Sequence, residues 1–189
     1  MTSDRKAGPR QGGARADDAP GSGAEALADL RDAGPELMEA ALRLNRRHEA
    51  ETSPLTAAQL SGMCAAAFAA PALPDGGGFL LAFDEGADYE SRNFLWFRAR
   101  YSRFVYIDRV IVAPAARGRG VARRLYAALY AAARASGRDL VACEVNVAPP
   151  NAPSLAFHAR EGFAAVAEGD LLPGKRVAYM LRRLSPKDA

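Results

Sequence analysis

The sequence predicts one mixed α/β domain, in which antiparallel strands come first and a strand-helix-strand-helix unit follows. Three observations favour this fold class: short apolar segments between residues 78 and 112, helical stripes that alternate with apolar strands after residue 105, and a final pair of apolar runs separated by turn residues. Strands that alternate with helices at this spacing are joined by a parallel crossover. We therefore expect a mixed, mostly antiparallel sheet with one parallel pair, flanked by helices.

The first 24 residues are expected to form a disordered tail, and residues 25–189 the single domain. The tail is rich in Gly, Pro and small polar residues, so burial of apolar side chains cannot offset the entropy of ordering it. Helical spacing of apolar residues then predicts two helices, at 35–51 and 56–69, and Thr56 has the character of an N-cap.

The remaining elements are predicted from alternation and turn residues. Three short apolar runs, at 78–83, 94–97 and 105–112, predict strands of an antiparallel meander. The parallel unit and the closing hairpin are predicted as strand 105–112, helix 120–135, strand 140–147, helix 152–161, strand 163–168 and strand 177–184.

The charge is unevenly distributed along the chain. The whole sequence has 25 basic and 22 acidic side chains, but residues 109–138 contain seven arginines and no lysine or acid, which leaves the remainder at 18 − 22 = −4. A basic window in an otherwise acidic chain indicates a localised anion, such as a phosphorylated cofactor, more than a nucleic acid. A solvated, arginine-rich helix face is the alternative.

The sequence lacks the features of a membrane protein, an exported protein and a metal-binding protein. No run of 18 apolar residues free of charge occurs and the first thirty residues lack the apolar stretch of a secretory signal, so we expect neither a membrane span nor export, and a cytoplasmic location. Cys64 and Cys143 are 79 residues apart in apolar segments and are expected to be buried thiols. His48 and His158 have no Cys or His partners at ligand spacing, so no metal site is expected.

The most informative segment is a strand, a glycine-bearing turn and a helix between residues 110 and 125. The first N–H groups of such a helix have no internal partner, and the helix dipole adds positive potential, so this junction is suited to a diphosphate. Gly118 and Gly120 would let the backbone approach the anion. The surrounding positive charge comes from Arg117, Arg119, Arg123 and Arg124.

Two common phosphate-binding patterns do not fit this turn. The P-loop requires a Gly-Lys-Ser/Thr ending, and the dinucleotide fingerprint requires a third glycine where Arg123 stands. The pattern Arg117-x-x-Gly120-x-Ala122 instead resembles the acetyl-CoA motif of the GCN5-related N-acetyltransferase (GNAT) superfamily, which reads Gln/Arg-x-x-Gly-x-Gly/Ala after an apolar strand.

A second stretch resembles the next part of the same superfamily, and in particular a bacterial branch of it. Glu144-Val-Asn is followed by Asn151, which opens a helix, and by Gly162-Phe163, which ends it. His158 stands where the superfamily usually has a tyrosine near the CoA sulfur. The resemblance covers residues 36–184 loosely and 105–163 with specific motifs.

The resemblance implies the GNAT fold, in which the two parallel strands splay apart and acetyl-CoA, a co-substrate, lies between them like an additional strand. The backbone of the first of these strands would pair with the pantetheine amides, and the turn would hold the diphosphate. Asn151 would reach the pantetheine arm, although a plain N-cap role is equally open. The positions implied are Val110, Ile111, Val112, Arg117, Gly118, Arg119, Gly120, Val121, Ala122, Arg123 and Asn151.

The resemblance also implies direct transfer of an acetyl group to a primary amine in a ternary complex. The amine must lose a proton and the departing thiolate must be stabilised. Glu144 is the preferred base, with a structural carboxylate as its alternative. Asp108 and Tyr106, which share one face of the preceding strand, are in reserve, although Asp108 could instead pair with Arg109 or Arg103. His158 could protonate the sulfur as an imidazolium, donate a hydrogen bond from its neutral form, or be a half-buried structural histidine.

The acceptor is less determined: a small-molecule or peptide amine, bound by a monomer or homodimer. The aromatic residues of 94–97 and 101–106 could line its pocket, although core positions are more typical of them, and Asn45, His48 and Glu49 could supply polar contacts. A non-catalytic acyl-CoA-binding or sensing module is the alternative function. Nucleic-acid binding through the arginine window is a third, and is not expected.

Overall fold

The computed structural model describes residues 25–185; the expected N-terminal tail lies outside this range. The chain contains seven strands and five α-helices there, together with two short 3-10 helices. The elements are β1 Ala28–Asp29, α1 Pro35–Arg46, α2 Ala57–Ala66, β2 Pro71–Ala72, β3 Gly78–Asp84, α3 Arg92–Arg98, β4 Val105–Val112, α4 Val121–Ala135, β5 Leu140–Ala148, α5 Ala152–Arg160, β6 Ala164–Leu172 and β7 Lys175–Arg183.

The strands form one mixed sheet in the order β1-β2-β3-β4-β5-β7-β6. Only β4 and β5 are parallel among these strands, and all other neighbours are antiparallel. The predicted fold class, a mostly antiparallel sheet with one parallel pair, is therefore confirmed. The closing hairpin is also present, as β6 and β7.

Helices cover both faces of the sheet and bury two apolar clusters. On one face, α1, α2 and α3 pack against strand residues such as Phe79 and Tyr106. On the other face, Leu125 and Leu129 of α4 and Phe157 of α5 pack against Val105 and Val141. None of the helices in residues 25–185 is long and apolar enough to cross a membrane.

The predicted strand at 94–97 is wrong, because these residues belong to α3. Phe94 and Phe97 are both fully buried, whereas Leu95 is 36% exposed. A spacing of three places two side chains on one face of a helix, and this outweighs the strand preference of aromatic residues. Without a strand here, β3 pairs directly with β4.

The first two helices are shorter than predicted. α1 ends at Arg46, and α2 ends at Ala66 because the following backbone pairs with Ala82 of β3, through Phe68 N–H and Ala69. Thr56 is the N-cap of α2, and its hydroxyl accepts from Gln59 N–H while the Gln59 side chain accepts from Thr56 N–H.

A bulge and a splayed strand pair shape the centre of the sheet. Leu81 pairs with Arg109 and Ala82 with Ile107, so Asp108 is an additional residue in β4. The described pairing of β4 with β5 runs from Val105 to Ile107 and ends at this bulge. Beyond it the two parallel strands separate, which opens the sheet between them.

Candidate active site

Two adjoining cavities, of about 360 and 340 Å³, lie where β4 and β5 separate. Both are lined by Val110, Asn151 and His158, so we treat them as one channel. The first cavity extends to Glu144, and the second extends to Arg117. The channel therefore joins the middle of β5 to the turn before α4.

The turn before α4 leaves its amides free. The backbone N–H groups of residues 118–123 make no hydrogen bond to the described part of the chain, and the first bonded amide is that of Arg124, which donates to the Gly120 carbonyl at 3.0 Å. Gly118 and Gly120 have φ values of 74° and 77°, a region that favours glycine. A Cβ on either would meet nothing within 4 Å, so conformation, not space, requires glycine here. Free amides at a helix start are suited to an anion.

The arginines of the basic window have different roles. Arg117 lines the second cavity and its Nε donates to the Val112 carbonyl at 3.1 Å, and Arg119 is exposed beside it in sequence. Arg123 Nε lies 3.3 Å from Glu161 Oε1, so the Arg123 side chain points away from the turn. Only the backbone N–H of Arg123 is available to an anion there. Arg124 donates to the Glu25 carbonyl. Arg117 and Arg119 are thus the side chains best placed to add charge at the turn.

The predicted cofactor positions mostly come together. Those that line the second cavity are Val110, Ile111, Val112, Arg117, Ala122 and Asn151. Val121 is buried in the core, so its backbone alone could take part. The Asn151 side chain accepts from Ser154 N–H at 3.2 Å while the residue lines both cavities, so the N-cap and the channel-lining roles coexist.

Glu144 lies in the first cavity, between two donors that the sequence did not indicate as its partners. Asn93 Nδ2 of α3 donates to Oε1 and the Tyr106 hydroxyl donates to Oε2, both at 2.8 Å. Burial, and then the nearby charge of Asp108, raise the pKa of Glu144 to about 7, although the hydrogen bonds from Tyr106 and Asn93 oppose this shift. Glu144 can therefore take up or release a proton near neutral pH.

Asp108 lines the same cavity, but its carboxylate is already engaged. It accepts from the Tyr89 hydroxyl and from Arg109 Nε, the latter at 2.7 Å. Arg109 in turn donates to Asn45 at 2.6 Å and to Ser53 at 3.3 Å. This geometry favours the pairing alternative for Asp108, with Arg109 as the partner, and it also occupies Asn45.

His158 is 3% exposed and both of its ring nitrogens have partners. Nδ1 lies 2.8 Å from the Ser154 carbonyl, which can only accept, so Nδ1 carries the hydrogen and Nε2 accepts from the Tyr126 hydroxyl at 2.7 Å. Burial lowers the pKa of His158, which favours the neutral ring over the imidazolium. Tyr126 is a buried residue of α4 whose role was not predicted from the sequence, because it lies among the apolar residues of this helix.

The other residues considered for the acceptor side are dispersed. His48 lines the second cavity, whereas Glu49 is exposed and lines neither cavity. The aromatic residues Phe94, Phe97 and Phe104 are fully buried in the core. Cys143 is buried in the opposite apolar cluster from the Tyr106 face, and burial raises the pKa of its thiol, so it is a poor nucleophile. Within residues 25–185 no group of three or more His, Cys, Asp or Glu could hold a metal ion.

The sequence profile described as "Acetyltransferase (GNAT) family" matches residues 66–163, which are 98 of the 189 residues. The chain belongs to the GNAT acetyltransferase family. This GNAT protein is therefore an acyltransferase, and the matched segment includes the turn, α5 and most of the residues that line the channel. No curated protein sequence is matched.

Solved structures share the GNAT fold over most of the chain. Ard1 from Thermoplasma volcanium is 16% identical, with a TM-score of 0.64, and the match covers 85% of this chain and 97% of that one. NAA60 of Arabidopsis thaliana in complex with acetyl-CoA is 17% identical, with a TM-score of 0.64 and coverage of 84% and 99%. An aminoglycoside 6'-N-acetyltransferase complexed with coenzyme A is 14% identical, with a TM-score of 0.64 and coverage of 86% and 98%.

Proposed function

We propose that this protein transfers the acetyl group of acetyl-CoA directly to a primary amine in a ternary complex, with Glu144 as the base. Acetyl-CoA-dependent acetyl transfer follows from the family. The observation that carries the finer proposal is a single channel with free helix-start amides at one end and, at the other, the buried Glu144 carboxyl, whose pKa burial raises to about 7. The similar folds complexed with acetyl-CoA or coenzyme A support this use of the channel.

The residues present fit the co-substrate. The free amides of residues 118–123, with Arg117 and Arg119, match a diphosphate. The edge of β4 from Val110 to Val112 pairs with β3 on one side, while its described pairing with β5 ends at Ile107, so its other side can pair with an extended pantetheine arm. When bound, acetyl-CoA supplies the thioester whose acyl carbon the amine attacks.

Glu144 would accept the proton that the amine loses, directly or through water. An alkyl ammonium has a pKa of about 10, so the neutral amine is scarce at pH 7 without a base. Asn93 and Tyr106 hold the two carboxylate oxygens and leave lone pairs for a third partner. Asp108 is paired with Arg109, and its carboxylate contributes, after burial, to the raised pKa of Glu144.

His158 and Tyr126 form the polar pair at the other side of the first cavity. Nε2 of the neutral His158 ring accepts the single hydroxyl hydrogen of Tyr126, so this hydrogen must leave Nε2 before it can be donated to a departing thiolate. His158 would act by holding that hydroxyl, or by donating itself when its tautomer changes.

The acceptor is proposed only as a small-molecule or peptide amine. A free-thiol assay with the full chain, acetyl-CoA and a panel of an aminoglycoside, a peptide N-terminus, a lysine peptide and a polyamine tests this. Amine-dependent thiol release is expected for at least one class. Tight acetyl-CoA binding without release for any amine would instead favour the non-catalytic acyl-CoA-binding module.

The turn before α4 gives the first mutational prediction. Gly120→Glu puts a negative, L-configured side chain at a φ of 77°, and Arg117→Ala removes a positive charge from the second cavity. Both are expected to weaken coenzyme A binding in calorimetry, Arg117→Ala by about tenfold, which corresponds to one charge-assisted hydrogen bond. Arg43→Ala, which removes an exposed α1 arginine, is the control and should bind normally. Normal affinity in both turn variants would refute the diphosphate site.

His158→Ala gives the second prediction. Loss of the ring removes the acceptor of Tyr126 from the first cavity but leaves the turn intact. We expect kcat to fall by at least about tenfold, while the dissociation constant of acetyl-CoA stays within a few-fold of the wild-type value. Steady-state kinetics and calorimetry on the same preparation measure the two effects. An unchanged kcat would remove His158 from the mechanism.

A further inference from the structure

A cavity of about 480 Å³ lies on the outer side of α4 and shares no lining residue with the channel. We call it the outer cavity. Its lining consists of Arg123, Ala127, Tyr130, Ala131, Arg134, Glu161 and Arg182. The five α4 residues follow one another at spacings of one to four, so they form one stripe of the helix. Arg134 is 14 residues beyond Gly120, or about 21 Å along the helix axis, and so lies far from the diphosphate turn.

The outer cavity carries an excess of positive charge. Three guanidinium groups line it, against one carboxylate. Glu161 accepts from Arg123 at 3.3 Å and from Arg182 at 3.4 Å, so its charge is shared between these two. Arg134 takes no part in that network, and its Nη1 is buried with no hydrogen-bond partner among residues 25–185. The N–H groups of Arg134 Nη1 are therefore available to donate to a bound acceptor.

Tyr130 provides a second donor without an acceptor in the same cavity. The residue is 5% exposed, and its hydroxyl has no acceptor in the described part of the chain, because the neighbouring Arg182 guanidinium can only donate to it. The Arg182 guanidinium covers its ring at 4.3 Å from the centroid. Burial raises the pKa of Tyr130, so the group is a protonated phenol that can donate. Buried donors without acceptors are rare in folded proteins, and two in one positively charged cavity point to a missing acceptor.

We propose that the outer cavity binds a small, multiply charged oxyanion, a polycarboxylate or a phosphorylated compound. Its oxygens accept from the Tyr130 hydroxyl and from Arg134 Nη1, and the arginines balance its charge. Ala127 and Ala131 have small side chains and leave room for the ligand between these donors. A volume of this size lies within the range of small-molecule sites and exceeds what a single inorganic phosphate needs. This proposal does not depend on the identity of the amine acceptor.

Calorimetry with citrate and with inorganic pyrophosphate, on the full chain at constant ionic strength, tests the proposal. The protein is first saturated with coenzyme A, so that an anion cannot report binding at the diphosphate turn. One binding event is expected for at least one of the two probes. Arg134→Gln and Tyr130→Phe are each expected to weaken it by about tenfold or more, the size of one hydrogen bond to a charged group. Arg43→Gln, an exposed arginine outside this cavity, should have no effect.

Melting of the unliganded variants separates a binding defect from a folding defect. Because the Tyr130 hydroxyl donates to no acceptor in the free protein, Tyr130→Phe should melt at the wild-type temperature or above, while losing the stabilisation that the anion gives to the wild type. The proposal is overturned if neither probe binds at millimolar concentration, if Arg43→Gln weakens binding as much as Arg134→Gln, or if Tyr130→Phe lowers the melting temperature without ligand.

Discussion

Glu144→Gln is expected to lower kcat by about 10²–10⁴-fold, which is the range that a positioned general base contributes. Glutamine keeps the size of the side chain but cannot take the proton of the amine. Since the pKa of Glu144 is raised to about 7, the ionised base increases with pH through that value. The kcat/KM of the wild type should therefore rise through a pKa of about 7, and this limb should be absent from the residual activity of Glu144→Gln.

Glu39→Gln is the matched control, because Glu39 is an exposed α1 carboxylate paired with Arg43. It should leave kcat and its pH profile unchanged. The pH dependence of the free energy of unfolding is an independent measure of the pKa of Glu144. The folded state holds a proton on Glu144 between its ordinary value of 4.5 and about 7, whereas the unfolded state releases it, so this group makes the wild type less stable as pH rises through that window. The variant should lack this dependence; an activity within a few-fold of the wild type would exclude Glu144 as the base.

Arg109→Met is expected to destabilise the protein by about 3–5 kcal/mol, the usual effect of leaving a buried charge without its partner. The Arg109 and Asp108 side chains are only 4% and 7% exposed, so water replaces the lost contact poorly. Asn45 and Ser53 would lose a donor as well. Urea denaturation measures the loss.

Arg43→Met is the corresponding surface change, since the Arg43–Glu39 pair is 52% and 70% exposed, and it should cost less than about 1 kcal/mol. Adding Asp108→Asn to Arg109→Met should recover part of the lost stability, because the second change removes the unpaired charge. Equal losses for Arg109→Met and Arg43→Met would contradict the buried ion pair.

Local signals in the sequence were sufficient for the fold class and for the turn. The glycines at 118 and 120, the Thr56 N-cap and the strand-helix-strand-helix order depend on residues close together in the chain. The error at 94–97 has a local cause too, since four residues with three aromatic side chains satisfy both a strand and one turn of a helix. Only burial decides between them, and the helix is the element that buries both Phe94 and Phe97.

The polar partners of the candidate site could not be predicted in the same way. Asn93 is 51 residues from Glu144, and Tyr126 is 32 residues from His158, so each contact exists only once separate elements pack. The partners of the seven arginines between residues 109 and 138 could not be predicted from the sequence either. As a sequence they form one patch, but in the fold Arg109 and Arg138 are paired with acids, and Arg134 faces a separate cavity from Arg117.

The bulge at Asp108 lies at the point where the sheet opens between β4 and β5. The additional residue shifts the register between β4 and β3, and the described pairing of β4 with β5 ends at the residue before it. A deletion of one residue at this point would remove the bulge, and we expect the parallel pairing of β4 with β5 to extend further into the space between the two strands. The number of residues in β4 at this point is therefore expected to affect the shape of the channel.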